Sequence, residues 1–490
     1  MTVIFAIITE DKIADTLHLT TNEIFREITK IPRESGHEEK MTEYLQQFAA
    51  KHNLACRTDK TGNVVITREA SEGKENVPAI ALQSHQDMVC EKIAGSKHDF
   101  AKDPINYVIE DGWMIAKETT LGADDGIGIA ATLALLISDL PMGKIEGLFT
   151  ISEETGMNGA NDIEAGFMES KTLINLDSED EGQIFVGCAG GIDTTAVFNY
   201  ATEPVKPGYK AVSLKVSNAL GGHSGDDINK ERANAVQIIA RFLYTELGNY
   251  QLLKLVGGSK RNAIARDAEA VVYVKESEVD VFMGRFGKFG AAVKNEFHNT
   301  DPDVRFDASR EACTDNAVES EIAKRLIVSL VAVNHGVLAM SQDIKGLVET
   351  STNLAAVKMD KPGEIMVLTS QRSSTESQKE FMEDKVEAAF LLAGAEVTHS
   401  DPYPGWAPNM KSPILKETVE SYVKLFGTEP EVKAIHAGLE CGLFLEKFPY
   451  LDMVSFGPTL RGVHAPGEKL DLESNEKFVK LLVDIVTNFK

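Results

Sequence analysis

No two cysteines in this sequence are spaced as CxxC. The five present, Cys56, Cys90, Cys188, Cys313 and Cys441, are odd in number and scattered. That argues against a disulfide framework and against a thiolate zinc site, and it fits a reducing, cytoplasmic setting. Long apolar runs are also missing. No stretch approaches the ~18 residues a transmembrane helix needs, and the short run at 3–8 lacks the length and the preceding positive charge of a signal peptide. Positive charge is scarce: 50 Lys and Arg face 75 Asp and Glu, for a net charge of −25. A field of that sign repels phosphate backbones and anionic lipid, so neither nucleic acid nor membrane is an expected partner. There is no GxSxG elbow and no P-loop, which leaves serine nucleophiles and phosphate cradles without their motifs.

The chain has 490 residues, too many for one hydrophobic core, since cores stop growing near ~250–300 residues. Helical spacing at Ile24, Phe25 and Ile28, with Thr21 or Asn22 as cap, predicts a first helix ending before Pro32. A second helix is expected over 38–52, followed by short strands at 55–58 and 63–67. Apolar runs at 77–83, 145–151 and 172–176 then each end in a polar tip, with an Ala/Leu-rich helix over 127–136 between the first two. Strand, polar tip and helix in repetition predict an α/β sheet covered by helices, with its crevice off the carboxyl ends of the strands. A change of character near the Pro/Gly-rich 203–208 reads as a linker. A strand at 211–216 with a helix at 233–247 has an expected counterpart in 364–369 with 377–392. The Pro-rich stretch beginning at Asp401 marks a return, and the C-terminal piece carries helices over 413–425 and 474–488.

The polar tips could carry chemistry. In Ser84-His85-Gln86-Asp87, an Asp two residues beyond a His lies on the same side of an extended strand and can hold its second ring nitrogen. In Gly122-Ala123-Asp124-Asp125-Gly126, small residues let backbone crowd a cation, although an Asp cap for the next helix explains the motif equally well. Ser152-Glu153-Glu154 places consecutive carboxylates after an apolar strand, where their repulsion calls for cations or a shared proton. One Glu could ligate and the other act as base; a solvated acidic turn is the plain alternative. Asp177 ends a strand, and His464 lies in the turn Gly462-Val463-His464-Ala465-Pro466-Gly467. Each is weak alone. Together they offer two imidazoles, three carboxylates, a base and a supporting Asp, which suits two divalent ions sharing a carboxylate. Paired carboxylates of a glycosidase fit less well: adjacent Glu153 and Glu154 would point to opposite faces of a strand, and the histidines would go unexplained.

At the level of longer blocks, the sequence resembles the M20-type metallopeptidases, and within them the aminoacyl-histidine dipeptidases. The resemblance rests on SHQDMV, TTLGADDGIG, SEETGM, NLDSEDEG, VGCAGGID, GGHSGDDIN, GLVETSTNLA, RSSTES, HAGLECGLF and SFGPT followed by GVHAPGE. It implies an α/β, zinc-peptidase-like catalytic domain, a mixed sheet covered by helices, at 1–206 with 402–490. It also implies an inserted α+β lid domain at 207–401, read as two similar halves. By the same resemblance His85 ligates one metal and His464 the other, Asp124 bridges both, and Glu154 and Asp177 each join one site. Glu153 is then the general acid/base of a two-metal, bridging-water hydrolysis, Asp87 orients His85, and Asp125 is a cap or support. His223 would donate to the carbonyl oxyanion, from an internal copy of the lid fold or from a partner subunit. Asn262 and Arg372 would hold the substrate's carbonyl and terminal carboxylate, with His436, Gly438 and Glu440 lining the same pocket. The implied cofactors are two divalent ions, Zn²⁺ first, with Co²⁺ or Mn²⁺ as alternatives. The implied partner is a small peptide, with a homodimer as an option. The expected activity is that of a cytosolic dipeptidase of the Xaa-His type or broader. An N-acyl amino acid deacylase and a non-catalytic peptide-binding relative are the rivals.

Overall fold

Strands Ile80–His85, Ile145–Thr150 and Thr172–Asn175 are buried at every position, so each must be covered on both faces. The computed structural model supplies that cover. It describes the backbone of residues 10–490 and the side chains of residues 16–490; the apolar run at 3–8 lies outside the described residues. These strands belong to an eight-stranded mixed sheet in the order Ala55–Thr58, Val64–Arg68, Ile145–Thr150, Ile80–His85, Thr172–Asn175, Asp452–Ser455, Gln183–Cys188, Glu431–Ile435. The four central strands run parallel, and antiparallel strands flank them. Helix Ala123–Leu136 packs on the central pair. Gly147 permits its close approach, since a Cβ there would meet Thr132 Cγ2 at 2.8 Å. Among the described residues no helix is long and apolar enough to cross a membrane, and all five cysteines are free thiols.

The first helix differs from its expected start. It spans Glu10–Ile28, so Thr21 and Asn22 are interior residues and not caps. Thr21 satisfies its hydroxyl by donating to the Leu17 carbonyl one turn back at 2.9 Å, and the Asn22 amide pairs with the His18 ring at 3.1 Å. A residue with cap chemistry can sit mid-helix when it bonds backward in this way.

The chain divides into two compact units. One comprises 1–187, 408–434 and 439–490; the other comprises 188–407 and 435–438. The junctions expected at 206/207 and 401/402 therefore fall at 187/188 and 407/408. The reason is strand Gly190–Asn199, which precedes the Pro/Gly-rich segment yet is an internal strand of the second unit's sheet. Residues 204–208 connect strand Thr202–Glu203 to Tyr209–Ser217 within that unit.

The second unit is built on a nine-stranded antiparallel sheet whose helices share one apolar core, including Val236, Phe282, Leu326 and Phe390. Its first six elements of interest are Tyr209–Ser217, helix Ala235–Thr245, Tyr250–Gly258, Ala268–Lys275, helix Val279–Glu296 and Arg305–Glu311. Within them the strands lie in the order fourth, first, third, second. A second set, Gly190–Asn199, helix Ser320–Ala332, Val348–Lys358, Glu364–Ser373, helix Glu376–Leu392 and Glu396–His399, has the same succession and the same strand order. The two sets join through their second strands, with Gly257 opposite Val357. The counterparts differ from those read in the sequence. Strand Tyr209–Ser217 and helix Ala235–Thr245 match Gly190–Asn199 and Ser320–Ala332, while Glu364–Ser373 and Glu376–Leu392 match Ala268–Lys275 and Val279–Glu296. One set is inserted between the first strand and first helix of the other, so neighbours in sequence are not neighbours in the motif. The helix expected over 233–247 begins at Ala235, where the Asn234 side chain accepts from the Gln237 N–H at 3.1 Å.

Candidate metal centre and substrate-binding residues

Three of the parallel strands deliver residues from their carboxyl ends. His85 is the last residue of Ile80–His85, Asp177 lies just past Thr172–Asn175, and Glu153 and Glu154 follow Ile145–Thr150. Asp124 stands in the first turn of helix Ala123–Leu136 with non-helical dihedrals. His464 sits in a turn with φ +63°. The chain brings these together around Asp124. Its Oδ1 lies 2.9 Å from His85 Nε2, and its Oδ2 lies 3.0 Å from His464 Nε2. His85 Nε2 is also 3.4 Å from Asp177 Oδ1, and His464 Nε2 is 2.9 Å from Glu154 Oε2. Donor atoms of His85, Asp124 and Glu154 all lie within 4.8 Å of one another.

This donor set fits two metal ions. Ligands about 2.0–2.2 Å from a tetrahedral cation stand about 3.3 Å apart, close to the spacings around each histidine. One carboxylate serving two imidazoles through separate oxygens is the arrangement a bridging ligand requires.

Asp87 supports the centre from beneath. Its carboxylate lies 3.3 Å from His85 Nδ1 and accepts from Ser35 Oγ at 2.7 Å and from the backbone N–H groups of Glu153 and Glu154 at 3.1 and 3.2 Å. It therefore fixes the His85 ring and the turn that carries Glu153 and Glu154. Glu153 and Glu154 do not alternate along a strand as expected. Ser152 turns the backbone with φ +53°, and both glutamates enter the short helix Glu153–Gly156. Face alternation thus gives no ground for rejecting a glycosidase; the histidines do. Asp125 Oδ1 accepts from the Gly128 N–H at 3.1 Å, the bond of a helix cap.

Burial dominates the electrostatics. It raises the Glu153 carboxyl well above its ordinary range, with repulsion from Glu440 and Glu154 adding to it against the opposing pull of His85. Burial likewise raises Asp177, reinforced by Asp124. At Asp124 burial is outweighed by hydrogen bonds to His464 and His85, which hold the carboxyl below its usual range. Asp87 is held at about 2, because its bonds to His85, Ser35 and the Glu153 N–H overcome burial. Glu440 is pushed up to about 7 by burial. It accepts from Gln83 Nε2 at 2.6 Å and Thr150 Oγ1 at 3.0 Å, tying together the strands that lead to His85 and Glu153.

His223, Asn262, Arg372, His436 and Gly438 all belong to the second unit. His223 pairs with Ala263 in an isolated bridge, and the Asn262 carbonyl accepts from the Ser224 N–H at 2.8 Å, so His223 and Asn262 stand side by side. His223 Nδ1 lies 3.2 Å from Asp226 Oδ2. Arg372 lies opposite Ser351 in the sheet register, and Ser351 Oγ bonds His436 Nε2 at 2.7 Å. Among the described residues, Arg372 Nε and His436 Nδ1 are buried without a hydrogen-bond partner. Unpaired buried polar atoms are costly, and two of them on neighbouring side chains are what a pocket for a polar ligand leaves to be satisfied.

Burial first, and then the Arg372 charge, depress His436 to about 3. The folded state therefore excludes a proton that the unfolded chain binds near pH 6.5. The stabilisation is complete above pH 6.5 and is lost as pH falls toward 3. Substituting His436→Gln should accordingly flatten part of the decline of the urea midpoint between pH 7 and pH 5; an unchanged slope would contradict a neutral, buried His436.

Two residues in contact with the centre have no role assigned by the sequence. Arg33 follows Pro32 between two helices, where an arginine reads as exposed, and it is buried. Glu468 lies four residues beyond His464 in a turn and is equally buried.

Comparison with known proteins places these residues in a wider set. The model of peptidase family M20/M25/M40 matches residues 81–488. The cytosol non-specific dipeptidase of Escherichia coli K12 is 38% identical over 468 residues, covering 95% of this chain and 96% of that one. The crystal structure of aminoacylhistidine dipeptidase from Vibrio alginolyticus superposes with a TM-score of 0.91 at 37% identity, covering 96% of each chain. Aminopeptidase PepT from Bacillus cereus ATCC 10987 shares the fold at 16% identity, with a TM-score of 0.59 over 96% of this chain and 98% of that one.

Proposed function

Since the chain belongs to peptidase family M20/M25/M40, we propose that it is a cytosolic dipeptidase working with two divalent metal ions. One would be held by His85, Asp124 and Asp177, the other by His464, Asp124 and Glu154. The observation that carries this reading is the split of the Asp124 carboxylate, one oxygen toward each histidine at 2.9 and 3.0 Å. Its similarity across nearly the full length of two dipeptidases supports the substrate class. Zn²⁺ is the proposed native ion, with Co²⁺ or Mn²⁺ able to replace it, because imidazole and carboxylate donors suit all three.

When bound, the two ions supply Lewis acidity toward the peptide carbonyl and lower the pKa of the attacking water. Glu153 takes the proton from that water and passes it to the leaving amine. A carboxyl raised by burial has the basicity for this task. Asp87 holds His85 in one ring orientation and holds the Glu153 backbone through its N–H. His223 is assigned to the carbonyl oxygen as charge develops there, with Asn262 beside it. Arg372, through its free Nε, takes the substrate's terminal carboxylate. The neutral His436 adds a donor or acceptor at Nδ1, and Gly438 lines the pocket without a side chain.

The test is a panel assayed with the Zn²⁺-loaded protein: glycyl-histidine, β-alanyl-histidine, glycyl-glycine, tripeptides and N-acetyl amino acids. Dipeptides with both termini free should be cleaved, and tripeptides and N-acetyl amino acids should not. Preferential cleavage of the N-acetyl compounds would make the protein a deacylase. Absence of both metal binding and hydrolysis would make it a peptide-binding relative.

A further inference from the structure

We propose that Arg33 and Glu468 are positioning residues that set the metal affinity of the centre, by clamping the Asp124 loop to the His85 strand tip and to the His464 turn. The proposal rests on the reading of His85, Asp124 and His464 as ligands.

Arg33 is 2% exposed. It donates through Nη1 to the carbonyls of Gln86 and Asp87 at 3.0 and 2.5 Å, and through Nη2 to the carbonyl of Gly122. The first two carbonyls directly follow His85, and the third lies two residues before Asp124. Glu468 is also 2% exposed. It accepts three consecutive backbone N–H groups, from Leu121 at 2.7 Å, Gly122 at 3.1 Å and Ala123 at 2.8 Å. Gly122 is thus held at its N–H by a carboxylate and at its carbonyl by a guanidinium, so the peptide planes on both sides of it are fixed. The residue after these is Asp124 itself.

The local sequence makes room for the clamp. Gly122 has φ +70°, and a Cβ on it would lie 2.6 Å from Arg33 Nη2; one on Gly126 would lie 2.7 Å from the same atom. The His464 side chain is 50% exposed, so packing does little to hold it. Its backbone is held instead at the far end of the turn, by Glu468 and by the Gly467 N–H bonding the carbonyls of Ala116 and Thr119. Burying a guanidinium and a carboxylate merely to shape a loop is expensive, because each charge loses its hydration. Three ligand-bearing segments meeting on these two side chains give that burial a purpose. Supports that orient metal ligands are worth roughly 10–100-fold in affinity.

Two variants, Glu468→Gln and Arg33→Lys, test this in the full-length protein. Zn²⁺ affinity is read by competition with a chromophoric chelator, and Tm is measured for stripped and Zn²⁺-loaded protein. Each variant should weaken Zn²⁺ binding by about 10–100-fold and shrink the rise in Tm that Zn²⁺ produces. If both lower the two Tm values equally and leave Zn²⁺ affinity within twofold of wild type, the residues are structural and the proposal is overturned. It is overturned equally if neither variant folds with Zn²⁺ present. Failure of the wild-type protein to bind Zn²⁺ at all would instead overturn the ligand assignment beneath it, and the proposal with it.

Discussion

Glu153→Gln should lower kcat by up to about 10⁴-fold, the upper end of what a positioned base contributes, while the protein keeps its metal. The substitution is isosteric and removes the capacity to accept a proton. The Glu153 N–H bond to Asp87 Oδ1 is made by the backbone, so the turn that carries Glu154 stays in place. Removing one of several crowded carboxylates also relieves repulsion, since Glu440 and Glu154 both disfavour charge on Glu153. Metal content by elemental analysis should therefore match wild type, and KM should change little. A kcat within tenfold of wild type would remove Glu153 from its role as base. Loss of metal together with activity would make it a ligand instead.

The parallel core and its polar tips were legible in the sequence because period and position agree there. Apolar runs ending in acids and histidines read as buried strands that stop at a crevice, and Ile80–His85, Ile145–Thr150 and Thr172–Asn175 are such strands. Spacing alone could not divide Asp124 from Asp125 or Glu153 from Glu154. That division depends on dihedrals at Asp124 and on the left-handed turn at Ser152, which neighbouring residues impose. The duplicated sheet was legible as a rhythm but not as a topology, since Gly190–Asn199 pairs with strands more than a hundred residues away. Arg33 and Glu468 were invisible for a related reason. Each acts on backbone atoms of Gly122, and a hydrogen bond to backbone leaves no trace in the partner's side chain. The glycines at 122 and 126 were the only mark, read as room for a cation when they also make room for a guanidinium.

Asp124→Asn should deprive the protein of both metal sites, where Asp177→Asn and Glu154→Gln should each weaken only one. The asymmetry follows from geometry. Asp177 lies against His85 and Glu154 against His464, while the two oxygens of Asp124 divide between the histidines. An asparagine keeps one carbonyl oxygen and turns an amide NH₂ toward the other site, where a donor opposes a cation. It also removes the negative charge that hydrogen bonds to His464 and His85 sustain at this position despite burial. Elemental analysis after dialysis against limiting Zn²⁺ should find about two ions per chain in the wild type, about one in Asp177→Asn and Glu154→Gln, and well under one in Asp124→Asn. Hydrolysis in Asp124→Asn should fall at least as far as in Glu153→Gln, because carbonyl polarisation and activation of the water are lost together. Retention of one tightly bound ion in Asp124→Asn would show that the carboxylate serves a single site, and the two-ion centre would then need a different bridge.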